Sequence, residues 1–152
     1  MDRQARARRL AAVSAGLLLG VIGCGGSDDN PSASFDGEDC SYSGPESISA
    51  GDEIEASFEN TSDATAALAF LALRDESARD EMVAMIGAEP ISAGGNPPEE
   101  PLELTGYLQA EPGEKATQTA PLDAGTYVID CVTFVGDAPD KVWRVAVLDV
   151  EE

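Results

Sequence analysis

The sequence contains no histidine and few aromatic residues. None of its 152 residues is a histidine, and Phe, Trp and Tyr together make up 5% of the chain. Without an imidazole, neither a Ser-His-Asp triad nor a Cys-His nucleophile can be assembled. A pair of carboxylates of the kind glycosidases use is the remaining route to an enzyme, since acids are abundant. The sequence therefore favours a non-catalytic protein, with an uncharacterised enzyme as the alternative.

Basic residues are also scarce. The chain has 9 Lys and Arg against 29 Asp and Glu, a formal net charge of −20. Such a surface repels nucleic acid and anionic lipid headgroups, so we expect neither as a partner. The acids are interpreted either as a solubilising surface or as a weak site for Ca²⁺ or another hard cation. The candidate ligands for that cation are Asp123, Asp130, Asp137 and Asp140.

No hydrophobic run is long enough to span a membrane. The uncharged, mostly apolar segment Leu10–Gly23 follows four arginines within residues 1–9. It is shorter than the roughly 20 residues that a transmembrane helix needs. A basic segment followed by a short apolar one is typical of a secretory signal. The first residues therefore predict export.

The end of this apolar segment resembles a bacterial-type lipobox. Val21, Ile22 and Gly23 precede Cys24, which the resemblance makes the site of lipidation with diacylglycerol and palmitate. Residues 1–23 are then a lipoprotein signal peptide, and the protein is held at the extracytoplasmic face of the cell membrane. An ordinary secretory signal with Cys24 as a chance thiol is the alternative. Arg8 and Arg9 leave open whether export follows the Sec or the twin-arginine route.

Two cysteines remain once Cys24 is assigned to lipid. In small extracytoplasmic domains the remaining cysteines usually pair, so we expect a Cys40–Cys131 disulfide. Removal of residues 1–23 takes away four basic residues and one acid. The mature part then has five basic and 28 acidic residues and a net charge of −23.

The mature chain is predicted to consist of a tether and one domain. Residues 24–39 are rich in Gly, Ser and Asp, which predicts a flexible acidic tether. Residues 40–152 are of a length that suits a single domain. Their pattern predicts about seven short strands. These are Ser47–Ser49, Glu53–Glu59, Ala66–Leu73, Leu104–Ala110, Lys115–Pro121, Thr126–Val135 and Val142–Val150.

One helix is predicted in the middle of the domain. Between Asp75 and Gly87 the apolar residues change to a helical period, acids fill the first half, and Gly87 is a plausible stop. The apolar stripe is Met82, Val83, Met85 and Ile86. Short strands with one inserted helix indicate a mainly β fold, a two-sheet sandwich.

Several runs resemble the cupredoxin family, plastocyanin-type β-sandwiches that hold one copper ion. The segment Ala50–Ile54 is similar to the family's turn into its second core strand. Phe58-x-Asn60, followed by Phe70, matches the family's spacing, and Gly125–Cys131 resembles its approach to the copper thiolate. The resemblance covers residues 43–150 and implies a Greek-key, cupredoxin-like sandwich for residues 40–152.

The copper site implied by the family is incomplete. A blue-copper centre needs two imidazoles and a thiolate. The two histidine positions are occupied by Ala66 and Phe134, and only Cys131 is retained. We therefore expect no metal and no cofactor at these positions.

The remaining surface suggests contact with another protein. The helix and the Gly/Pro-rich loop after it are the most distinctive surface, and Met82, Met85, Ile86, Pro97 and Pro98 are its candidate interface residues. A membrane-anchored domain that binds an envelope protein or stabilises an envelope assembly is the function the sequence favours. Trp143 is expected in the core, and Tyr127 is expected to tie a corner of the sandwich.

Overall fold

The computed structural model describes residues 30–94 and 101–152. Ten strands and one short helical segment occur in this part of the chain. The strands are β1 (Ser32–Phe35), β2 (Cys40–Ser43), β3 (Ser47–Ser49), β4 (Glu53–Asn60), β5 (Ala66–Leu73), β6 (Ile91–Ser92), β7 (Leu102–Ala110), β8 (Lys115–Pro121), β9 (Gly125–Val135) and β10 (Ala138–Glu151). A 3-10 turn (Glu76–Ala78) leads into α1 (Arg79–Ala84). No helix in the described part is long and apolar enough to cross a membrane.

The strands form two sheets. Sheet A has the order β2-β1-β4-β8, and sheet B has the order β3-β10-β9-β5-β7, with β6 paired to β10. The chain crosses between the sheets after β2, β3, β4, β7 and β8, so sheet neighbours are mostly distant in sequence. The predicted mainly β, two-sheet sandwich with one short helix is confirmed.

The core lies between the two sheets and follows the strand period. In β4 the alternate residues Ile54, Ala56 and Phe58 are buried while Glu53, Glu55 and Glu59 are exposed, as alternation of side chains in a strand requires. Each large apolar side chain that is fully buried contributes about 1.5–3 kcal/mol. The largest of these include Phe35, Phe58, Leu68, Ile129 and Leu148.

Strand β5 is buried on both faces. Ala66, Leu68 and Phe70 point into the core between the sheets, whereas Ala69 and Leu71 join a second cluster on the outer face of sheet B. Met82 of α1 belongs to that second cluster. The continuous apolar run of β5 is therefore explained by burial on two sides, by sheet A and by the helix.

The predicted tether is wrong for residues 30–39. Ser32–Phe35 forms β1, which pairs with β2 and with β4. Phe35 is only 2% exposed, and its ring centroid lies 4.9 Å from that of Trp143. Serine and apolar residues alternate in this segment, so a strand period is present within a Gly/Ser/Asp-rich composition. Residues 24–29 lie outside the described residues, as do Cys24 and the predicted signal peptide.

The helix is shorter than predicted. Asp75 caps the 3-10 turn before α1 by accepting a hydrogen bond from the Ser77 N–H at 2.9 Å, and Gly87 follows the helix with a φ of 72°, which favours glycine. Because α1 ends at Ala84, its apolar stripe does not form one buried face. Met82 is 6% exposed, but Ile86 is 39% exposed in the turn that follows.

Candidate functional site

A large concave surface lies on the outer face of sheet B, beside α1. This cavity, called the outer groove here, has a volume of about 820 Å³. Ala67, Ala69 and Val132 form its floor, and their small side chains give it depth. Ile91 lies on the side of β6, and the β9–β10 hairpin contributes Phe134. Its volume falls within the range of about 300–1,000 Å³ that is usual for ligand-binding clefts.

A bulge in β7 directs additional apolar side chains to the outer groove. Leu71 pairs with Leu104 and Phe70 pairs with Gly106, so Thr105 has no residue opposite it on β5. The Thr105 hydroxyl donates a hydrogen bond to the Phe70 carbonyl at 2.9 Å. The extra residue changes the alternation of β7, and Leu104 therefore lines the same surface as Tyr107.

The outer groove presents exposed large apolar side chains. Leu104 is 46% exposed, Tyr107 54% and Ile91 42%. A single exposed apolar residue is ordinary, but several that line one concavity are a common mark of a binding surface. The groove is therefore the strongest candidate for a binding surface in the described part of the chain.

A buried ion pair closes the end of the groove that lies next to the helix. Arg144 Nε and Nη2 donate to the two carboxylate oxygens of Asp130 at 3.0 and 2.9 Å, and the two side chains are 7% and 4% exposed. Burial raises the pKa of Asp130 because the charged carboxylate loses hydration, and the hydrogen bonds from Arg144 only partly oppose this. The pair fixes the boundary between the helix and the groove.

The same arginine holds the helix in place. Its Nη1 approaches Met82 Sδ at 3.0 Å and Met85 Sδ at 3.5 Å. Thioether sulfur is a weak acceptor, so these contacts orient the guanidinium more than they stabilise it. The Gly87 N–H also donates to the Arg144 carbonyl at 3.2 Å. The residues around α1 are thus tied to β10 through Arg144.

The predicted disulfide is confirmed. Cys40 and Cys131 are bonded, with their Cα atoms 6.3 Å apart, a separation normal for a disulfide. Cys131 is 1% exposed and belongs to the core between the sheets. A disulfide sulfur is not a thiolate, so Cys131 in this state offers no anionic ligand to a metal ion.

The two positions that the cupredoxin resemblance assigns to histidine both lie near this disulfide in sheet B. Ala66 is fully buried and pairs with Thr133, next to Phe134 on β9. Phe134 is half-buried and lines the outer groove. Neither alanine nor phenylalanine carries a group that coordinates metal, so these positions do not fit a copper ion.

The four candidate cation ligands do not come together. Asp130 is engaged by Arg144 through its carboxylate. Within residues 30–94 and 101–152, no three Asp, Glu, His or Cys side chains are placed to hold a metal ion. Asp130 is buried in β9, Asp123 and Asp137 lie in the turns before and after that strand, and Asp140 lies in β10.

The candidate interface on the helix is corrected in part. Met82 is buried, Met85 is half-buried against Arg144, and only Ile86 is exposed. The Met82 side chain belongs to the packing of the helix, so it is not available to a partner. Pro97 and Pro98 lie outside the described residues.

Two single-residue expectations are met. Trp143 is 8% exposed in the core, and its indole N–H donates to the Glu38 carbonyl at 3.1 Å. Tyr127 ties the turn before β9 through its bond to Asp123. Both side chains therefore have structural partners for their polar atoms.

Sequence reasoning missed the outer groove. Its walls depend on the β7 bulge and on the two-residue strand β6, neither of which has a clear pattern. One signal was available: Arg144 stands in an apolar strand and is one of few basic residues, which suggests a buried ionic partner.

The described residues define a disulfide-linked β-sandwich with a short helix and an apolar groove on one outer face. No protein-family model matches the chain, and no curated protein matches it in sequence. A solved structure that resembles it is dithionite-reduced auracyanin from the photosynthetic bacterium Roseiflexus castenholzii. That chain is 18% identical, with a TM-score of 0.43, and the match covers 80% of this chain and 95% of that one. The assignment of a two-sheet sandwich rests on the strand pairing of this chain itself.

Proposed function

We propose that this chain is a lipid-anchored extracytoplasmic protein whose non-catalytic, cupredoxin-like sandwich binds an envelope protein through the outer groove. The observation that carries the binding role is the groove itself, with Leu104, Tyr107 and Ile91 exposed along it. When a partner covers the apolar side chains of a concave surface, the free energy falls because these side chains are removed from water.

The location is supported by the N-terminal sequence. A basic segment, a short apolar run and Cys24 in a lipobox-like context are the features of a lipoprotein signal. Two acyl chains hold a protein at a membrane, where a single chain gives only marginal attachment. The Cys40–Cys131 disulfide agrees with an oxidising compartment.

The absence of catalysis is supported by the residues available. No histidine exists anywhere in the chain to act as a general base or a metal ligand. The buried carboxylate in the groove, Asp130, is held by Arg144 through two hydrogen bonds and is not free to take up a substrate proton. Binding therefore fits the groove better than an acid–base reaction.

Site-specific photo-cross-linking in membranes tests this function. A photoreactive residue is placed at Tyr107 in the full-length protein and, as a control, at Val135. Val135 is 69% exposed in the same sheet but does not line the groove. We expect one protein to be captured from position 107 and not from position 135, and its capture to disappear when Leu104→Ser is added. Equal capture from both positions would refute a role for the groove.

The anchor requires its own measurement. Cys24→Ala should move the protein from the membrane pellet to the soluble fraction, or leave it unprocessed. Ser27→Ala is the matched control, because it changes a nearby residue but keeps the lipidation site and the disulfide. A Cys24→Ala protein that is processed and pelleted like the parent would contradict the lipoprotein assignment.

A further inference from the structure

We infer that the outer groove and the adjoining edge of β7 accept an extended polypeptide segment, added as a strand beside β7, whose groove-facing alternate residues include both apolar and Lys or Arg side chains. This inference rests on the proposed function and specifies the chemistry of the partner. It follows from three features: the charges that line the groove, the edge of β7 and the cleft next to that edge.

The charge of the groove selects a cationic partner. Among the described residues that line it, the charged side chains are Glu111, Asp130, Asp137 and Arg144. Arg144 is the basic residue of this set, and it forms a salt bridge with Asp130. Glu111 and Asp137 are therefore left without an opposite charge in the lining. Since the whole chain carries −20, a basic segment is attracted both at long range and at the rim.

Charge also argues against the other occupants. A second copy of this chain would bring another net charge of −20 to the same surface. An anionic amphiphile such as a fatty acid would lie beside Glu111 and Asp137 with no unoccupied described cation in the lining. Binding of either would be opposed by repulsion between like charges, which is stronger in a partly desolvated site.

The edge of β7 is suited to a backbone partner. β7 ends sheet B and, within the described residues, pairs only with β5. The other long edge, β8, begins with Lys115 and ends with Pro121, two residues that discourage strand addition. β7 contains neither lysine nor proline. An extended peptide that pairs with such an edge gains main-chain hydrogen bonds, and alternate side chains reach the groove.

There is space beside this edge. A cleft of about 250 Å³ lies between Thr105–Leu108 of β7 and Gln118, Ala120 and Pro121 of β8, so the two sheets do not close on each other here. The bulge at Thr105 interrupts the ladder and limits the added pairing to a short stretch centred on Gly106–Leu108. Specificity then depends mainly on the side chains that enter the groove.

Binding is measured with peptide probes and the full-length protein in neutral phosphatidylcholine nanodiscs, with empty nanodiscs as background. The probe is a fluorescently labelled heptapeptide of sequence LTKTLTK, in which leucine and lysine side chains share one face of the strand and threonine occupies the other. Its binding is followed by anisotropy. Three comparison peptides replace leucine by serine, replace lysine by glutamate, or carry N-methyl groups on alternate amides. We expect the leucine–lysine peptide to bind and each comparison peptide to bind at least about tenfold more weakly.

Variants locate the site. Leu104→Ser and Tyr107→Ser should each weaken the leucine–lysine peptide by about fivefold or more, while Val135→Ser leaves it unchanged. Asp137→Asn should weaken it and reduce its salt dependence, while Glu55→Gln on sheet A should not. Far-ultraviolet circular dichroism establishes that each variant is folded, and the agreement of two groove variants guards against an indirect effect.

Each outcome decides the inference. Equal binding of the N-methylated peptide would rule out strand addition. Equal binding of the glutamate peptide, or equal effects of Asp137→Asn and Glu55→Gln, would rule out the cationic partner. Tight binding of a cationic alkylammonium compound that displaces the peptide without needing β7 would assign the groove to a small amphiphile instead. If cross-linking at Tyr107 captures a protein but no peptide binds, the inference fails and the proposed function stands.

Discussion

Arg144 and Asp130 face each other across β10 and β9, and two hydrogen bonds of 3.0 and 2.9 Å join their side chains. The pair is almost fully buried, between the helix on one side and the outer groove on the other. The attraction between the two charges of a buried pair offsets their loss of hydration only while both partners are present. Its two residues should therefore behave very differently in single and double variants.

Arg144→Met should destabilise the domain by about 3–5 kcal/mol, because it leaves the Asp130 carboxylate buried without a counter-charge. Methionine keeps much of the volume, so the loss is chiefly electrostatic. Combining it with Asp130→Leu should recover most of that stability. The free energy of unfolding from urea denaturation measures both effects. A single variant as stable as the parent would mean that the pair opens to water in solution.

Asp149 predicts a pH-dependent contribution to stability. The hydrogen bond from Arg79 lowers the pKa of Asp149 below its ordinary value of 3.8, burial opposes this, and the Thr126 hydroxyl adds a smaller lowering effect. A carboxyl group whose pKa is lower in the folded state stabilises the fold above the unfolded pKa. That contribution is lost as the pH falls from 3.8 through the folded pKa.

The measurement compares Asp149→Asn with the parent from pH 7 down to pH 2. Both side chains of the pair are about one-third exposed, at 39% for Arg79 and 34% for Asp149, so the difference at pH 7 should not exceed about 1 kcal/mol. It should vanish at the acid end. Glu55→Gln serves as a control. A difference that grows on acidification would have the wrong sign for this pair.

The disulfide should contribute a large part of the stability. It joins residues 91 positions apart, and the loop-entropy relation gives about 4–5 kcal/mol for a loop of that size. Cys40→Ala/Cys131→Ala should lower the urea midpoint strongly, and reduction of the parent should do the same. Thiol titration of the unreduced protein should find neither cysteine free. A free thiol at Cys131 would reopen the question of a metal ligand there.

A charge in the helix region should be costly at one position and tolerated at another. Met82→Asp would bury a carboxylate beneath α1 and should destabilise the domain by several kcal/mol. Ile86→Asp should cost less than about 1 kcal/mol, because Ile86 is 39% exposed whereas Met82 is 6% exposed. Thermal denaturation of the two variants gives the comparison. Equal losses would indicate that Ile86 packs more closely than its exposure implies.

The strands with a strong pattern were predictable from sequence. The predicted bounds Ala66–Leu73 are those of β5. A short, wholly apolar run between polar turns is typical of a buried strand. Lys115–Pro121 was also placed correctly as β8. The Cys40–Cys131 pair followed from the expected compartment and from the number of cysteines, without any geometric information.

What the sequence did not predict depends on tertiary context. The strand Ser32–Phe35 lies in a Gly/Ser/Asp-rich segment and is stabilised by pairing with β4 and by the contact of Phe35 with Trp143. Composition suggests a tether there, and long-range packing overrides it. The groove was missed for the same reason, since the bulge at Thr105 is defined only by its register against β5. Neither feature has a local signal of useful strength.

The position of the disulfide determines how the domain would respond to mechanical force. If the N-terminal end is held at a membrane and the groove is held by a partner, tension enters the sandwich through β1. Residues 30–39 precede Cys40, and beyond that point the covalent bond passes the load directly to Cys131 in the middle of sheet B. Only β1 and the turn after it can then separate from their neighbouring strands before the disulfide bears the load. The domain would extend by a short, fixed length and keep its groove intact under a pull that would unravel an uncrosslinked sandwich.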